Sequence, residues 1–325
     1  MLNFKGGVGK TTLSVNFAAG IANTPKPDGT EYKVLLIDTD PQANASVFML
    51  GEYWRRHIFP SPERTLYGIL DRTKRGFIKP IDEEDIIGQF SENDPRSPVF
   101  ATEKQIMQDG SSVYLDSDNY WPNLHLLSSH YVLGQAEKEI RFDEEGKIRI
   151  SAFGGPIYYF ELLDRVSSFI RSYYDFIIID CAPNLYTLSE CALFFCDEVI
   201  IPVIPDWLST NGINWLVLQL KNYSQRYLNR KKIVRAIVPT LWNTKELVFS
   251  RHIRILNKSL AVWKRNDMYR ELLAECEIWP GLQRLASVNK AIESLRPVAD
   301  YQASEQSRAQ MDAMVKRLIQ TGNKK

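Results

Sequence analysis

The sequence has few cysteines, and their spacing matches neither a metal site nor a disulfide framework. Cys181, Cys191, Cys196 and Cys276 include no CxxC pair. No run approaches the roughly 18 apolar residues of a membrane-spanning helix, and a secretory signal is also missing from the first residues. These absences predict a soluble protein of the cytoplasm whose thiols are reduced.

The sequence also has almost no net charge, but its charged residues are unevenly distributed. The formal net charge of the 325 residues is +1. Between Lys221 and Arg270, 13 Lys and Arg residues stand against 2 acidic ones, which gives this basic block a local charge of +11. Between Ile81 and Tyr120, 10 acidic residues stand against 2 basic ones, a local charge of −8. A basic block is typical of a surface that binds a polyanion, and ordinary solvated helices are the alternative.

Short apolar segments alternate with amphipathic stretches along most of the chain. The apolar segments predict buried strands at 33–38, 124–128, 176–180, 199–204 and 233–239. The amphipathic stretches predict helices at 10–22, 64–72, 130–142, 157–173, 185–195, 208–229 and 246–260. We therefore predict an α/β fold in which a mostly parallel sheet is covered by helices on both faces. After Thr240 the pattern predicts a mostly helical part.

Residues 73–122 interrupt this alternation. They are acidic, contain Pro80, Pro95 and Pro98, and show no sustained periodicity. A structureless loop of this length is unusual inside a compact domain. We predict a single domain over 1–325, in which 73–122 form an inserted subdomain or a long loop outside the main sheet.

The segment KGGVGKTT, at residues 5–12, has the composition of a phosphate-binding loop. In a Walker A loop, GxxxxGK[ST], backbone N–H groups surround the phosphates at the start of a helix. The strict pattern fails here because Phe4 occupies the position of its first glycine. The remaining glycines still allow a phosphate to approach the backbone closely. The predicted nucleotide-binding residues are Lys5, Gly6, Gly7, Val8, Gly9, Lys10, Thr11 and Thr12.

KGGVGKTT resembles the deviant Walker A loop of the ParA/MinD family of ATPases. The resemblance implies an ATPase that requires Mg²⁺, in which Lys10 contacts the β- and γ-phosphates of ATP and the Thr11 hydroxyl coordinates the metal. It also implies an ATP-dependent homodimer in which Lys5 reaches the nucleotide of the partner subunit. Lys5 and Lys10 are thus predicted catalytic residues, and a solvated surface lysine is the alternative for Lys5.

Two further segments are similar to motifs of the same family. LLIDTDPQANAS (35–46) resembles its DxDPQ motif, which implies that Asp38 lies near the metal and that Asp40 is catalytic and orients the attacking water. YDFIIIDCAPN (174–184) resembles Walker B, which implies that Asp180 holds a water of the Mg²⁺ shell, although Ala182 departs from the usual pattern. Carboxylates at the ends of parallel strands face the crevice where open α/β sheets bind ligands.

The resemblance extends over most of the chain outside the acidic segment. It includes IIPVIPDWLSTNGI (200–213), PTLWN (239–243) and the stretch from Trp279 to Tyr301. In the family, the segment matching PTLWN lies near the adenine, which makes Thr240 and Asn243 candidate adenine contacts. A helix cap is the alternative for both residues.

The family contains iron proteins, membrane-binding MinD-like proteins and DNA-binding ParA-like proteins. An iron protein needs a thiol upstream of Walker B, and the chain has no cysteine before Cys181. A MinD-like protein would use the amphipathic stretch 313–325, which lacks Trp and Phe. Because a last helix packed on its own domain has the same periodicity, we expect no stable membrane association.

The basic block favours a ParA-like protein, because Lys and Arg supply most of the affinity for nonspecific DNA. The predicted DNA-binding residues are Lys221, Arg230, Lys231, Lys232, Lys245, Arg251 and Arg254. The resemblance then implies a nucleoid-associated ATPase that a ParB-like partner stimulates and that segregates or positions plasmid or chromosomal DNA. The alternative is a nucleotide-gated switch that regulates a partner assembly.

The segment before the loop is short. Its four residues span about 13 Å at roughly 3.3 Å per residue, whereas strands usually have five or six residues. We expect Met1–Phe4 to form a shortened central strand, and the natural chain to start upstream of Met1.

Overall fold

The computed structural model describes residues 1–51, 53–74, 81, 85–86, 105–106, 112–113, 123–139, 147–150, 155–158, 161–184, 187–227, 233–242, 247–283, 288–290 and 304–322. Only short pieces of the predicted insertion 73–122 fall within these ranges. Its organisation, and that of the chain as a single domain, therefore stays a prediction.

The strands are β1 (Val34–Asp38), β2 (Gln105–Ile106), β3 (Ser112–Val113), β4 (Leu124–Leu127), β5 (Lys147–Ile150), β6 (Gly155–Tyr158), β7 (Phe176–Asp180), β8 (Glu198–Val203), β9 (Ile233–Trp242), β10 (Glu277–Ile278) and β11 (Leu282–Gln283). The helices are α1 (Lys10–Ala22), α2 (Asn44–Leu50), α3 (Leu66–Lys74), α4 (Leu133–Glu139), α5 (Leu162–Val166), α6 (Ser168–Tyr173), α7 (Thr187–Phe195), α8 (Trp207–Tyr227), α9 (Leu247–Arg265), α10 (Arg270–Leu273) and α11 (Glu305–Gly322). The predicted strands are confirmed as β1, β4, β7, β8 and β9.

The main sheet is parallel and has two parts. In the first part β1 lies between β4 and β7, so that Leu36 faces Leu126 on one side and Ile178 on the other. In the second part β9 pairs in parallel with β8, β10 and β11. A mostly parallel sheet was predicted, and these pairings confirm it.

The amino-terminal residues lie between the two parts of the sheet. The amino group of Met1 donates to the carbonyl of Ile179 in β7 at 2.6 Å. The backbone N–H of Leu2 donates to the carbonyl of Ile200 in β8 at 3.1 Å. These contacts confirm the predicted central position, although the segment does not pair as a regular strand.

Helices cover both faces of the main sheet, as predicted. Side chains alternate along β1, so Leu35 and Ile37 join one hydrophobic cluster while Val34 and Leu36 join the other. The first cluster includes residues of α3 to α10, and the second includes residues of α1, α2 and α11. This is the layered arrangement expected when a parallel sheet is buried on both sides.

The carboxyl-terminal helix packs on its own domain. Its apolar residues Met311, Met314, Val315, Leu318 and Ile319 are buried in the second cluster. A side chain at Gly20 of α1 would clash with Val315, so the glycine allows the two helices to approach closely. Within the described ranges, no helix is long and apolar enough to cross a membrane.

Some elements differ from the sequence predictions. The part after Thr240 is mostly helical, as predicted, but it also contains the short strands β10 and β11, which extend the sheet. The helix predicted at 157–173 begins as β6, which pairs antiparallel with β5, and then divides into α5 and α6. Strands of two residues are too short to produce a recognisable periodicity, and for that reason the sequence did not predict β10 and β11.

Candidate nucleotide site

The loop at residues 5–9 joins the central segment to α1. Gly7 and Gly9 have φ angles of 69° and 81°, in the region that side chains disfavour. Gly9 precedes α1 without any side-chain cap, and the first turn of α1 contains no acidic residue. The first N–H groups of a helix have no partner within the helix, and they bind anions readily. The loop and α1 therefore form a suitable cradle for phosphates.

Lys10 lies at the base of this cradle. Its side chain is buried, and its Nζ donates to the carbonyls of Asn3 and Lys5, both at 3.0 Å. Burial lowers the pKa of Lys10, while the nearby carboxylates of Asp180 and Asp40 act in the opposite direction. The predicted phosphate lysine is thus close to both predicted carboxylates.

Asp180, at the end of β7, is linked to the first turns of α1. The hydroxyl of Thr11 donates to its Oδ2 at 2.7 Å, and the hydroxyl of Ser14 donates to its Oδ1 at 2.8 Å. Hydroxyl and carboxylate oxygens are ligands that Mg²⁺ accepts, usually together with water and phosphate. The described residues contain no cluster of three or more His, Cys, Asp or Glu that could hold a metal ion.

Asp38 lies beside Asp180, because the two residues are register partners in β1 and β7. Its Oδ2 accepts from the backbone N–H of Ser46 at 2.9 Å and from the Ser46 hydroxyl at 2.7 Å, and its Oδ1 accepts from the N–H of Asp40 at 3.1 Å. Burial, reinforced by Asp180, raises the pKa of Asp38 to about 8. Both oxygens therefore bond within the loop that carries Asp40, and the position of Asp38 near the metal stays a prediction.

Asp40 is buried in a tightly fixed loop. Its Oδ1 accepts from the N–H of Gln42 at 2.9 Å, and its carbonyl accepts from the hydroxyl of Ser129 at 2.6 Å. Ala43, at the start of α2, has a φ of 52°, which is unusual for a residue with a side chain. Such strain persists only where the surroundings impose it, so the loop holds Asp40 in a defined position.

The side chain of Lys5 contacts residues at the start of α8. Its Nζ donates to Oδ2 of Asp206 at 3.0 Å and to the hydroxyl of Ser209 at 2.8 Å. Its side chain is partly exposed. The sequence did not predict Asp206 and Ser209 as partners of Lys5, although both lie in the segment 200–213 that resembles the family.

The structure describes some of the remaining predicted site residues and not others. The hydroxyl of buried Thr240 donates to the carbonyl of Val8 at 2.7 Å, so this residue supports the loop, and its contact with adenine stays a prediction. Arg251 and Arg254 are exposed on α9, and Lys221 is partly buried on α8. The other predicted residues, Asn243, Arg230, Lys231, Lys232 and Lys245, lie outside the described ranges.

A glycine-rich loop before α1, with carboxylates ending two neighbouring parallel strands, defines a P-loop nucleotide-binding protein. A family model described as "AAA domain" matches residues 1–233. The sporulation initiation inhibitor protein Soj of Bacillus subtilis is 28% identical over 243 residues, which cover 75% of this chain and 72% of that protein. The chain belongs to the ParA/MinD family of P-loop ATPases.

Solved structures share this fold. A complex of an McdA variant from Cyanothece with ATP has a TM-score of 0.62 and 16% identity, over 99% of this chain and 94% of that one. The cobyrinic acid a,c-diamide synthase of Mycobacterium smegmatis, with an ATP analog and magnesium, has a TM-score of 0.59 and 18% identity, over 98% and 92%. The predicted fold class is therefore confirmed.

Proposed function

We propose that this protein is a Mg²⁺-dependent ATPase that dimerises on ATP, binds DNA without sequence preference and positions or segregates DNA with a ParB-like partner. The observation that carries the proposal is the cluster of Lys10, Thr11, Asp180 and Asp40 around the start of α1. The partition proteins and the ATP and magnesium complexes among the similar proteins support it.

Each residue of the cluster has a distinct task in this proposal. The N–H groups of the loop and Lys10 bind and orient the phosphates of ATP. Thr11 would coordinate Mg²⁺ and Asp180 would hold a water of its shell, with Asp38 nearby. The metal would supply positive charge at the phosphate oxygens. Asp40, which lies near Lys10 in a fixed loop, orients the attacking water. Positioning and electrostatic stabilisation supply nearly all of the catalysis in this type of reaction.

Lys5 serves the partner subunit. To reach the partner's phosphates its side chain leaves Asp206 and Ser209, and an exposed ion pair of this kind costs only about 0.2–1 kcal/mol to break. Lys5→Ala is therefore expected to bind ATP normally and to lose ATP-dependent dimerisation, measured by analytical ultracentrifugation. Asp206→Asn, which breaks the same pair but keeps Lys5, is expected to dimerise at least as well as the wild type. If Asp206→Asn also failed to dimerise, the ion pair itself, rather than a contact with the partner, would explain the need for Lys5.

DNA binding is assigned to α9. Arg251 and Arg254 are three residues apart, so they lie on one exposed side of the helix, which also carries exposed Lys258 and Arg265. A dimer presents two such surfaces to one duplex, and linking two weak sites can raise affinity by roughly 10²- to 10⁴-fold. DNA binding is therefore expected to require ATP.

The test is duplex binding with and without ATP over a salt series. Replacing Arg251 and Arg254 together with glutamate is expected to weaken binding to all DNA sequences. It is also expected to reduce the steepness with which the logarithm of the affinity falls with log[salt], which is roughly 0.9 per phosphate contact. Arg308→Glu with Lys316→Glu, the same charge change on α11, serves as the control and is expected to bind DNA more tightly than the α9 variant. Equal binding by the two variants, or equal affinity with and without ATP, would contradict the assignment and favour a nucleotide-gated switch.

A further inference from the structure

A row of apolar side chains runs along the exposed side of α9. Val248 is 58% exposed, Ile255 is 37% exposed and Val262 is 64% exposed. These residues are seven apart, so at about 100° per residue they lie within about 40° of one another and follow the helix for about 21 Å. We call these three residues the apolar stripe. Single exposed apolar residues are common on surfaces, whereas a continuous row of them is typical of an interaction site.

The apolar stripe is not the side by which α9 packs on its own domain. Leu256 and Leu260 are buried in the first hydrophobic cluster, and Trp263 packs against the same cluster. Leu256 lies about 100° around the helix from Ile255. The helix therefore has two apolar sides, of which one is used within the domain and the other is exposed.

A row of cations lies beside the apolar stripe. We call it the basic stripe, and its members are the exposed residues Arg251, Arg254, Lys258 and Arg265. Three of them follow the three apolar residues by three positions each, and residues three apart are neighbours on a helix surface. Within the described ranges, no acidic side chain forms a salt bridge with these four cations. The exposed side of α9 thus presents apolar and positively charged groups side by side.

We propose that the two stripes of α9 bind an amphipathic helix of a partner protein, with acidic residues along the edge of its apolar face. A second helix laid along α9 covers a straight apolar row, because residues seven apart return to the same side of a helix. Its carboxylates face the basic stripe, and opposite charges across an interface give specificity and speed association. The docking itself does not depend on the proposed function, and only its consequence for DNA rests on that function.

Charge and side-chain type favour an acidic helix over the other candidate occupants. The DNA backbone pairs with the basic stripe but offers no apolar surface to the apolar stripe. Two copies of this surface carry the same positive charge and repel each other. A helix that lies in a membrane surface usually inserts Trp, Phe or Leu, whereas the apolar stripe consists of Val and Ile, and Trp263 packs against the core.

The acidic helix and DNA compete for the same cations. In the proposed function Arg251 and Arg254 bind DNA phosphates, so a partner carboxylate at these residues excludes a phosphate there. Binding of the partner is therefore expected to release the protein from DNA without hydrolysis of ATP.

The test measures binding of a labelled synthetic peptide to the full chain by fluorescence anisotropy. The peptide is a helix of about 20 residues, roughly 30 Å long, with Leu on one face and Glu along its edge. Ile255→Gln with Val262→Gln is expected to raise the dissociation constant of the peptide by about tenfold or more, because both side chains lie in the covered row. Leu208→Gln, at a position on α8 that is 68% exposed, is the control and is expected to bind the peptide normally. Unchanged melting temperatures of both variants would show that the loss reflects the contact alone.

A second peptide of the same composition, with its Leu residues scattered around the helix, tests whether charge alone explains the binding. It is expected to bind much more weakly than the first peptide. Equal binding of the two peptides, equal binding by the α9 variant and the wild type, or no binding to the wild type would overturn the inference. Sedimentation of the protein with phosphatidylserine vesicles, lost in the α9 variant and without binding of the peptide, would make a membrane the occupant instead.

Competition with a fluorescent DNA duplex separates this inference from the proposed function. In the presence of ATP, the first peptide is expected to displace the duplex from the wild type. The variant with Ile255→Gln and Val262→Gln is expected to bind the duplex normally and to resist displacement. If the wild type binds the peptide but no DNA, the proposed function is wrong and the docking site stands. If the peptide and the duplex bind together, the competition is wrong.

Discussion

Replacing Lys10 with alanine is expected to weaken ATP binding by on the order of 100-fold or more. The ammonium group is buried, and it is held at the base of the loop by two backbone carbonyls. Removing one partner of a buried charge contact typically costs about 2–5 kcal/mol, and roughly 1.4 kcal/mol corresponds to a factor of ten. Calorimetric titration of the protein with a non-hydrolysable ATP analogue and Mg²⁺ measures the effect directly.

Two controls make this result specific. Lys26→Ala removes a lysine that pairs with Asp175, away from the loop, and is expected to leave ATP binding unchanged. Lys10→Arg keeps the charge but changes its shape, and is expected to bind ATP more weakly than the wild type because the buried site fits a compact ammonium. Normal ATP binding by Lys10→Ala would contradict the assignment of Lys10 to the phosphate site. The proposal that the protein is an ATPase would then lose its main support.

The sheet was predictable because its strands are buried on both faces. Segments 34–37 and 176–179 are continuously apolar, which is typical of a parallel strand between two helical layers. The end of β9 was not predictable. This strand continues to Trp242, and near its end Leu241 has a φ of 53° and the pairing with β11 is irregular. Local bulges of this kind depend on tertiary contacts and leave no periodic signal.

The site was predictable to the extent that it consists of motifs. Lys10, Thr11 and Asp180 lie together as the resemblance implied, although Thr11 and Asp180 are far apart in the sequence. The supporting contacts were missed because they depend on three-dimensional proximity. Ser129 holds the Asp40 loop, and Asp206 holds Lys5, yet neither lies in a motif to which the sequence assigned a role. Short polar residues at such positions are too common in sequences to be recognised without the fold.

Replacing Asp40 with alanine is expected to lower the rate of ATP hydrolysis by about 10²- to 10⁴-fold while ATP binding and dimerisation continue. That range is the usual contribution of a positioned general base or acid. The carboxylate of Asp40 is buried near Lys10. Hydrogen bonds from Gln42 and Ser129 fix the loop to which it belongs. Single-turnover hydrolysis with excess protein measures the chemical step separately from product release.

Asp40→Asn distinguishes chemistry from loop structure. Asparagine keeps an oxygen that can accept from the N–H of Gln42, so the loop is expected to keep its shape while the negative charge is lost. If hydrolysis depends on the charge, Asp40→Asn and Asp40→Ala lose it to a similar extent. If Asp40→Asn hydrolyses ATP at the wild-type rate while Asp40→Ala does not, Asp40 acts by holding the loop. A wild-type rate in both variants would exclude a role with the attacking water.

Neighbouring Asp38 provides the contrast, since Asp38→Asn disturbs a fully buried carboxylate bonded to Ser46. This substitution is expected to lower the melting temperature as well as the rate of hydrolysis.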